Sequence, residues 1–263
     1  MLKKITLLLL LLIAPSLSAS SKAGQFYFYW GWNHSSYTNS DINFKGDSHN
    51  FTLYDVAASD KQSDLGLGYI NPLEPWVPQY NTRIGYYLDD KHAISFGLDH
   101  MKYFVNQEQW VRIEGEIDNS RSNKYAGTYD GSSLIQTNKD FLDFEHSDGL
   151  NYFSFDLESY DQMFVSQNVD LSLYWGIGAG FVIPKSNVQL LDGKRNDEFH
   201  LAGYGASFKA GSELTLYKSY FMRLAMKRGY INMYDVLTSP DASDKAEHDF
   251  EFTEGYIVFG LNF

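Results

Sequence analysis

The residues closest to a hydrolytic arrangement are His146 and Ser147, which Asp148 and Asn151 follow. A serine becomes a nucleophile when a histidine within hydrogen-bond reach takes its proton, and known lipid hydrolases of this type carry the motif His-x-Ser. Here the two residues are adjacent, so in an extended strand they point to opposite faces and cannot share a proton. We therefore favour a protein without a catalytic site, with a lipid-modifying hydrolase as the alternative.

Other motifs add no further chemistry. Gly176, Gly178 and Gly180 are spaced like a glycine-rich phosphate loop, but they fall inside a predicted strand, where small residues save space. The chain has no cysteine and no histidine cluster with zinc spacing, so we expect no metal and no cofactor. The acidic stretch 104–149 can attract divalent cations, but we favour a solvated charged surface. The net charge of −12 disfavours nucleic acid as a partner.

The dominant pattern is alternation with a period of two, which is typical of strands with two different faces. In the first such segment, Phe26, Phe28, Trp30 and Trp32 share one face. The pattern predicts eight strands, each near the roughly 9–11 residues that cross a bilayer at a tilt. They are Gln25–Ser35, Gln79–Leu88, Ala93–Tyr103, Leu150–Tyr160, Val169–Phe181, Ala202–Leu216, Ser219–Asn232 and Glu254–Phe263.

The connections between these strands alternate between long and short, as they do in bacterial outer-membrane barrels. We therefore predict an all-β fold: a transmembrane, antiparallel, up-and-down β-barrel of about eight strands. Four long loops are expected outside the cell and three short turns in the periplasm, with both termini periplasmic. Two loop segments, Phe51–Val56 and Trp110–Ile117, alternate as strands do and can extend the barrel wall as hairpins.

The first 20 residues have the pattern of a secretory signal peptide. Lys3 and Lys4 precede the apolar run Ile5–Ile13, which is too short to span a bilayer as a helix. Cleavage is expected near residues 18–20, which leaves residues 21–263 as a single barrel domain in the outer membrane.

The size of the apolar side chains indicates whether the apolar face of the barrel points outward or inward. Phe, Trp and Tyr make up 17% of the chain, and an eight-stranded barrel is too narrow to hold such side chains from every strand, as a soluble lipocalin-like barrel would require. The apolar face is therefore expected to meet lipid. Ten charged residues then fall on the inner face, where burial forces them to pair: Arg83, Asp99, Asp156, Glu158, Asp170, Lys209, Glu213, Arg223, Lys227 and Glu254. We expect a plugged lumen, with a narrow channel for small solutes as the alternative.

Aromatic residues mark two further features. Amphipathic rings prefer the membrane–water interface, and the candidates for such positions are Trp30, Trp32, Trp175, Tyr217 and Tyr220. The C-terminus ends on Phe263 with Leu261, Phe259 and Tyr256 upstream, which resembles the terminal-strand signal that the barrel-assembly machinery recognises.

Several segments also resemble a group of bacterial outer-membrane β-barrel proteins without an assigned activity. They are Ser40–Phe44, Phe51–Val56, Gly97–Tyr103, Lys124–Gly127 and Glu145–Tyr152. The resemblance implies location and fold, with an architecture similar to small OmpA- and OmpW-type barrels. The expected function is a structural or surface-interaction role, with outer-membrane lipid and lipopolysaccharide as neighbours and an unknown extracellular ligand.

Overall fold

The computed structural model describes residues 21–62, 66, 69 and 78–263, so the predicted signal peptide lies outside the described residues. The strands are β1 Phe26–Tyr37, β2 Ser40–Gly46, β3 His49–Val56, β4 Ala58–Ser59, β5 Tyr80–Tyr87, β6 His92–Val105, β7 Trp110–Ile117, β8 Gly127–Gln136, β9 Leu142–Val165, β10 Val169–Val182, β11 Lys185–Leu190, β12 Asn196–Phe199, β13 Gly203–Leu216, β14 Tyr220–Leu237 and β15 Lys245–Asn262. Within the described part of the chain, no helix is long and apolar enough to cross a membrane.

Eight of these strands close into a ring. Neighbours pair in the order β1–β5–β6–β9–β10–β13–β14–β15, and β15 pairs back with β1 from Tyr27↔Asn262 to Tyr37↔Phe252. Every pairing is antiparallel. Closure leaves no free sheet edge in the wall. The predicted antiparallel eight-stranded barrel is confirmed.

The two ends of the barrel differ, as the alternating loop lengths predicted. At one end, here called the turn end, short segments 88–91, 166–168 and 217–219 join consecutive wall strands. Both ends of the described chain meet there, because Phe26 and Phe263 exchange two backbone hydrogen bonds of 2.8 Å. The opposite end, here called the cap end, carries the long connections.

The long connections are β-structured rather than open loops. Strands β2, β3, β7 and β8 continue the sheet from the upper part of β15, and β11 and β12 continue it from β9. These six strands and the parts of β6, β9, β14 and β15 beside them form what we call the cap. The predicted segments Phe51–Val56 and Trp110–Ile117 fall in β3 and β7, which pair with each other.

Wall strands run further into the cap than their predicted bounds, and the polarity of their faces explains why. In β15 the outward residues Ile257, Phe259 and Leu261 are apolar, whereas the inward Glu254 is charged. Closer to the start of the strand, on the cap side, Phe250 and Phe252 are buried inside and Glu251 points outward. The strand continues while its apolar face changes sides, which breaks the alternation on which the predicted boundary near Glu254 rested.

The same reversal divides the whole molecule into two layers. Toward the turn end the outer surface is an apolar belt whose large side chains are 43–66% exposed: Phe28, Ile84, Ile94, Phe155, Leu157, Leu173, Trp175, Ile177, Phe208, Leu224, Met226 and Phe259. In the cap the apolar residues are inside and form one buried cluster that includes Phe44, Phe51, Leu53, Met101 and Phe144. The barrel interior beneath this cap core is polar.

Candidate functional site in the barrel lumen

The structure places all ten predicted lumenal residues inside the barrel, each no more than 9% exposed. The alternation of each wall strand brings them there, because outward neighbours are apolar or small and inward positions are charged. Nine of the ten form ion pairs within the lumen. Asp170 is buried as well, but one of its carboxylate oxygens has no hydrogen-bond partner among the described residues.

Glu158 is the centre of the network. Its carboxylate accepts from Lys209 Nζ at 2.5 Å, from Tyr27 Oη at 2.7 Å and from Ser95 Oγ at 3.0 Å. Tyr160 donates to the same carboxylate. A buried carboxylate is tolerated when several donors replace its hydration shell, and Glu158 satisfies this condition.

Arg83 links residues of several wall strands. Its guanidinium lies 2.9 Å from Asp156, and it donates to Tyr29 Oη at 3.1 Å and to Ser154 Oγ at 2.9 Å. Lys209 bridges the two halves of the network, because its ammonium group also lies 2.6 Å from Asp156. The planar guanidinium of Arg83, which is on β5, therefore binds residues of β1 and β9 at the same time.

Arg223 fills the part of the lumen nearer the turn end. It donates from Nε to Glu213 at 2.7 Å and from Nη2 to Tyr160 Oη at 2.8 Å, and its guanidinium lies 4.5 Å from the centre of the Tyr27 ring. Contacts of a guanidinium with aromatic faces add to the ion pair when both are desolvated. Arg223 therefore holds three neighbours at once.

Toward the cap, Lys227 contacts Asp99 and lies 3.9 Å from Glu254. These three residues come from β14, β6 and β15, and all are fully buried. They form the upper limit of the charged layer, since the next inward residues of β15 are Phe252 and Phe250.

Sequence reasoning missed two components of the network. Lys22 lies just before β1, and its ammonium group reaches Glu213 at 2.5 Å, so the N-terminal segment joins the network near the turn end. Strand alternation carries no signal for a residue outside a strand. Six inward tyrosines also line the lumen: Tyr27, Tyr29, Tyr87, Tyr160, Tyr174 and Tyr256. Their positions follow from the alternation, and their density on the charged face was the available signal.

Together these side chains fill the cross-section of the barrel. Arg83, Arg223 and four of the tyrosines, Tyr27, Tyr29, Tyr87 and Tyr160, are among the largest fully buried side chains of the described residues. Cations and carboxylates contact one another directly, and these contacts join residues of different wall strands. Among the described residues, no group of three or more His, Asp or Glu side chains is arranged to hold a metal ion.

The predicted interfacial and terminal aromatics lie on the outer surface, with one exception. Tyr217 and Tyr220 are 68% and 60% exposed at the turn end, and Trp30 and Trp32 are half-buried on the outer face of β1. Trp175 lies midway along β10, with apolar outward residues on both sides. In the terminal strand, Phe259, Leu261 and Phe263 point outward, whereas Tyr256 is buried in the lumen beside Tyr174, with 2.9 Å between the hydroxyl oxygens.

His146 and Ser147 point to opposite faces of β9. His146 is fully buried in the cap core, 6.4 Å from the His248 ring between centroids, and Ser147 faces outward. Burial lowers the pKa of His248 to about 3. Burial, with the neighbouring His248 second, also holds the pKa of His146 well below its usual value. Both rings are therefore neutral near pH 7, and they pack among the aromatic residues of the cap core.

No protein-family model and no curated protein matches the sequence. Among solved structures, the N-terminal β-barrel domain of Pseudomonas aeruginosa OprF is 10% identical, with a TM-score of 0.29 over 87% of this chain and 100% of that one. Ail, the attachment invasion locus protein of Yersinia pestis, is 10% identical, with a TM-score of 0.30 over 89% and 99%. The outer membrane protease OmpT from Escherichia coli is 7% identical, with a TM-score of 0.26 over 93% and 98%.

The chain is thus similar to small outer-membrane β-barrels, as the sequence analysis expected. Sequence identities of 10% or less and TM-scores of 0.30 or less carry no argument about function. The description of the fold rests on the strand pairing itself.

Proposed function

We propose that the chain is an integral outer-membrane barrel that does not conduct solutes and that holds a folded cap at the cell surface. The observation that carries this proposal is the reversal of polarity along single strands. Apolar residues point outward around the belt and inward in the cap, as is favourable for a wall surrounded by lipid beneath a domain surrounded by water. In a soluble barrel, the apolar belt would be exposed to water, which is unfavourable.

We infer the orientation of the barrel in the membrane from the difference between its turn end and its cap end. Short turns and both chain ends at one end support a periplasmic location for the turn end, and the large β-structured cap then lies outside the cell. Residues 1–20 supply the export signal in this proposal. Lipid contacts the belt, lipopolysaccharide surrounds its upper edge, and the barrel-assembly machinery recognises the terminal strand that ends at Phe263.

The filled lumen supports a structural or surface-interaction role over a channel. Direct ion pairs among Arg83, Asp156, Lys209 and Glu158 occupy the cross-section, and the apolar cap core lies above them. A permeating ion would have to break buried pairs, which is costly because each charge left behind would be buried without a partner.

Fractionation and conductance test the proposal together. We expect the protein in the outer-membrane fraction, with a mobility on gels that changes on heating, and no single-channel steps after insertion into a planar bilayer. External protease should cut within the cap of intact cells and leave the wall protected. Recovery in the soluble periplasmic fraction would contradict the membrane placement, and regular conductance steps would contradict the sealed lumen.

A further inference from the structure

A cavity of about 760 Å³ opens on the surface of the cap where the sheet divides. Strand β15 pairs with β1 up to Phe252 and with β2 from His248, so Asp249 and Phe250 belong to neither pairing. The cavity lies beside this gap and is lined by residues of β2, β3, β14 and β15. Because the sheet is interrupted there, the cavity contacts inward residues of the cap as well as outward ones.

Two inward residues form the floor of the cavity. Ser40 and His248 are each 5% exposed, and 3.5 Å separates Ser40 Oγ from His248 Nδ1. His248 Nε2 has no hydrogen-bond partner among the described residues, and neither has the buried Oδ1 of Asn43, which also lines the cavity. Buried polar atoms normally have a partner. These two atoms therefore need a partner that the described part of the chain does not supply.

The rim of the cavity is acidic and contains no Lys or Arg side chain. Five carboxylates line it: Asp41, Asp55, Glu247, Asp249 and Glu251. Lys45 and Arg228, which lie outside the cavity, pair with Glu247 and Glu251. The other three carboxylates have no ion pair among the described residues. The rim is therefore rich in hydrogen-bond acceptors and repels anions.

Hydrogen bonds hold part of this rim in place. Asn39 donates from Nδ2 to the carboxylate of Asp55 at 2.9 Å, and the backbone N–H of Asp55 donates to the carboxylate of Asp41 at 2.8 Å. Each of these carboxylates has a second oxygen that can accept from a ligand. A rim that is ordered before binding loses less conformational entropy when a ligand binds.

Tyrosine rings form the wall of the cavity on the side of β14. Tyr230 and Tyr234 line it and are 40% and 49% exposed. Tyr204 of β13 extends this aromatic surface, because its ring centre lies 6.2 Å from that of Tyr234. Aromatic rings offer a flat apolar face. A flat apolar wall beside acceptors suits a sugar ring, which has C–H bonds on its faces and hydroxyl groups around its edge.

We propose that this cavity binds an uncharged sugar residue of a surface glycan. A C–H face of the sugar packs on the ring of Tyr234, and its hydroxyl groups donate to the carboxylates of Asp41 and Asp249. A further hydroxyl donates to Asn43 Oδ1, and another bonds to His248 Nε2. The carboxylates without ion pairs discriminate against acidic and phosphorylated sugars by like-charge repulsion.

This inference rests on the proposed position of the cap outside the cell. The sugar has two sources there: the neutral O-polysaccharide of the surrounding lipopolysaccharide, or a glycan on another cell. Both sources present the same hydroxyl groups and C–H faces, so the cavity chemistry is shared, and separate arms of the experiment distinguish the sources.

The experiment uses the full mature chain in a zwitterionic detergent, because detergents with sugar head groups would compete for the site. Saturation-transfer difference NMR is recorded with O-polysaccharide from the same bacterium in one arm and with neutral animal glycans in the other. We expect binding in one arm, with the strongest transfer to protons on one face of a sugar ring. Sialic acid and a sulfated disaccharide should show no binding.

Variants locate the sugar in the cavity. Asp249→Ala should weaken binding about 10-fold, a typical loss for one hydrogen bond to a charged group. Tyr234→Ala should also weaken it, whereas Tyr234→Phe keeps the ring face and should bind as the parent chain does. Asp47→Ala in the β2–β3 turn and Tyr220→Ala at the turn end are matched controls that should leave binding unchanged. Each variant is first shown to fold by its heat-dependent gel mobility.

Absence of transfer to every neutral glycan in both arms overturns the sugar site. Binding that is unchanged in both Asp249→Ala and Tyr234→Ala places the sugar elsewhere and overturns it as well. Binding of spermidine without binding of any sugar would identify a site for amines instead. None of these results affects the membrane placement or the sealed lumen, which fractionation and conductance test independently.

Discussion

Arg223 donates from Nε to Oε2 of Glu213 at 2.7 Å, and both side chains are fully buried in the barrel lumen. On the same strand, Arg228 pairs with Glu251 at 2.5 Å on the outer surface, where the two side chains are 71% and 50% exposed. Both pairs join a guanidinium to a carboxylate, but the first pair is buried and the second is exposed. They provide a matched comparison of what the lumenal network contributes.

Arg223→Ala should lower the free energy of unfolding by about 3–5 kcal/mol, because Glu213 would be left buried with Lys22 as its one charged partner among the described residues. Arg83→Ala should act similarly through Asp156. Arg228→Ala should change the stability far less, because an exposed ion pair is solvated and screened. Urea titrations followed by heat-dependent gel mobility measure both. Equal losses for Arg223→Ala and Arg228→Ala would contradict a stabilising role for the buried network.

The cap should lose stability as the pH falls from about 6.5 toward 3. In the folded cap His248 and His146 have lowered pKa values because burial disfavours the charged ring. An unfolded cap would bind protons near the usual pKa of 6.5. The stabilisation is therefore complete above pH 6.5 and falls by roughly 1.4 kcal/mol per pH unit for each histidine below it.

Limited proteolysis of the cap at pH 7.5 and pH 5.0 measures this loss. His248→Phe removes one titrating ring from an aromatic environment, so its cap should be less sensitive to the change in pH. His92→Phe at the exposed turn is the control and should keep the sensitivity of the parent chain. A cap with the same protease resistance at both pH values would refute the assignment to the buried histidines.

Phe263 should contribute in two separable ways. Its backbone exchanges two hydrogen bonds of 2.8 Å with Phe26, and its ring stacks on the Phe26 ring at 6.2 Å. Deletion of Phe263 removes the bonds and the ring, whereas Phe263→Ala removes only the ring. If the ring is the handle for assembly, both variants should slow folding in cells, as measured by the heat-modifiable fraction after pulse labelling. Normal assembly of Phe263→Ala would assign the effect of the deletion to the barrel seam instead.

The boundary of the belt predicts where a charge is tolerated. Leu224 and Asn232 are both outward residues of β14, but Leu224 lies within the belt and Asn232 lies beyond Arg228, on the cap side. Leu224→Arg should destabilise the inserted barrel by about 2–4 kcal/mol, the usual cost near the middle of a bilayer. Asn232→Arg should cost less than 1 kcal/mol by the same rule. Unfolding from lipid vesicles compares the two, and similar costs would place the membrane elsewhere.

The wall of the barrel could be predicted because its strands obey a local rule. Alternation with a period of two places Arg223 inside and Leu224 outside whatever the neighbouring strands are. Alternating connection lengths then indicate which end carries the short turns. Even the separation of His146 from Ser147 followed from adjacency in a strand. These features are encoded residue by residue.

Contacts between segments that are distant in the chain could not be predicted from the sequence. Lys22 binds Glu213, which is 191 positions away in the chain, and no local sequence pattern near either residue predicts this pair. Residues 147–149 bulge opposite Lys102 alone in the pairing of β6 with β9, and alternation within one strand does not predict such a shift in register. The full length of β15 was not predicted, because its apolar side changes between the belt and the cap and interrupts the alternation. The sequence by itself determined which side chains face each way within a strand. Only the tertiary structure decided which of them meet, because ring closure and cap packing set the register between strands.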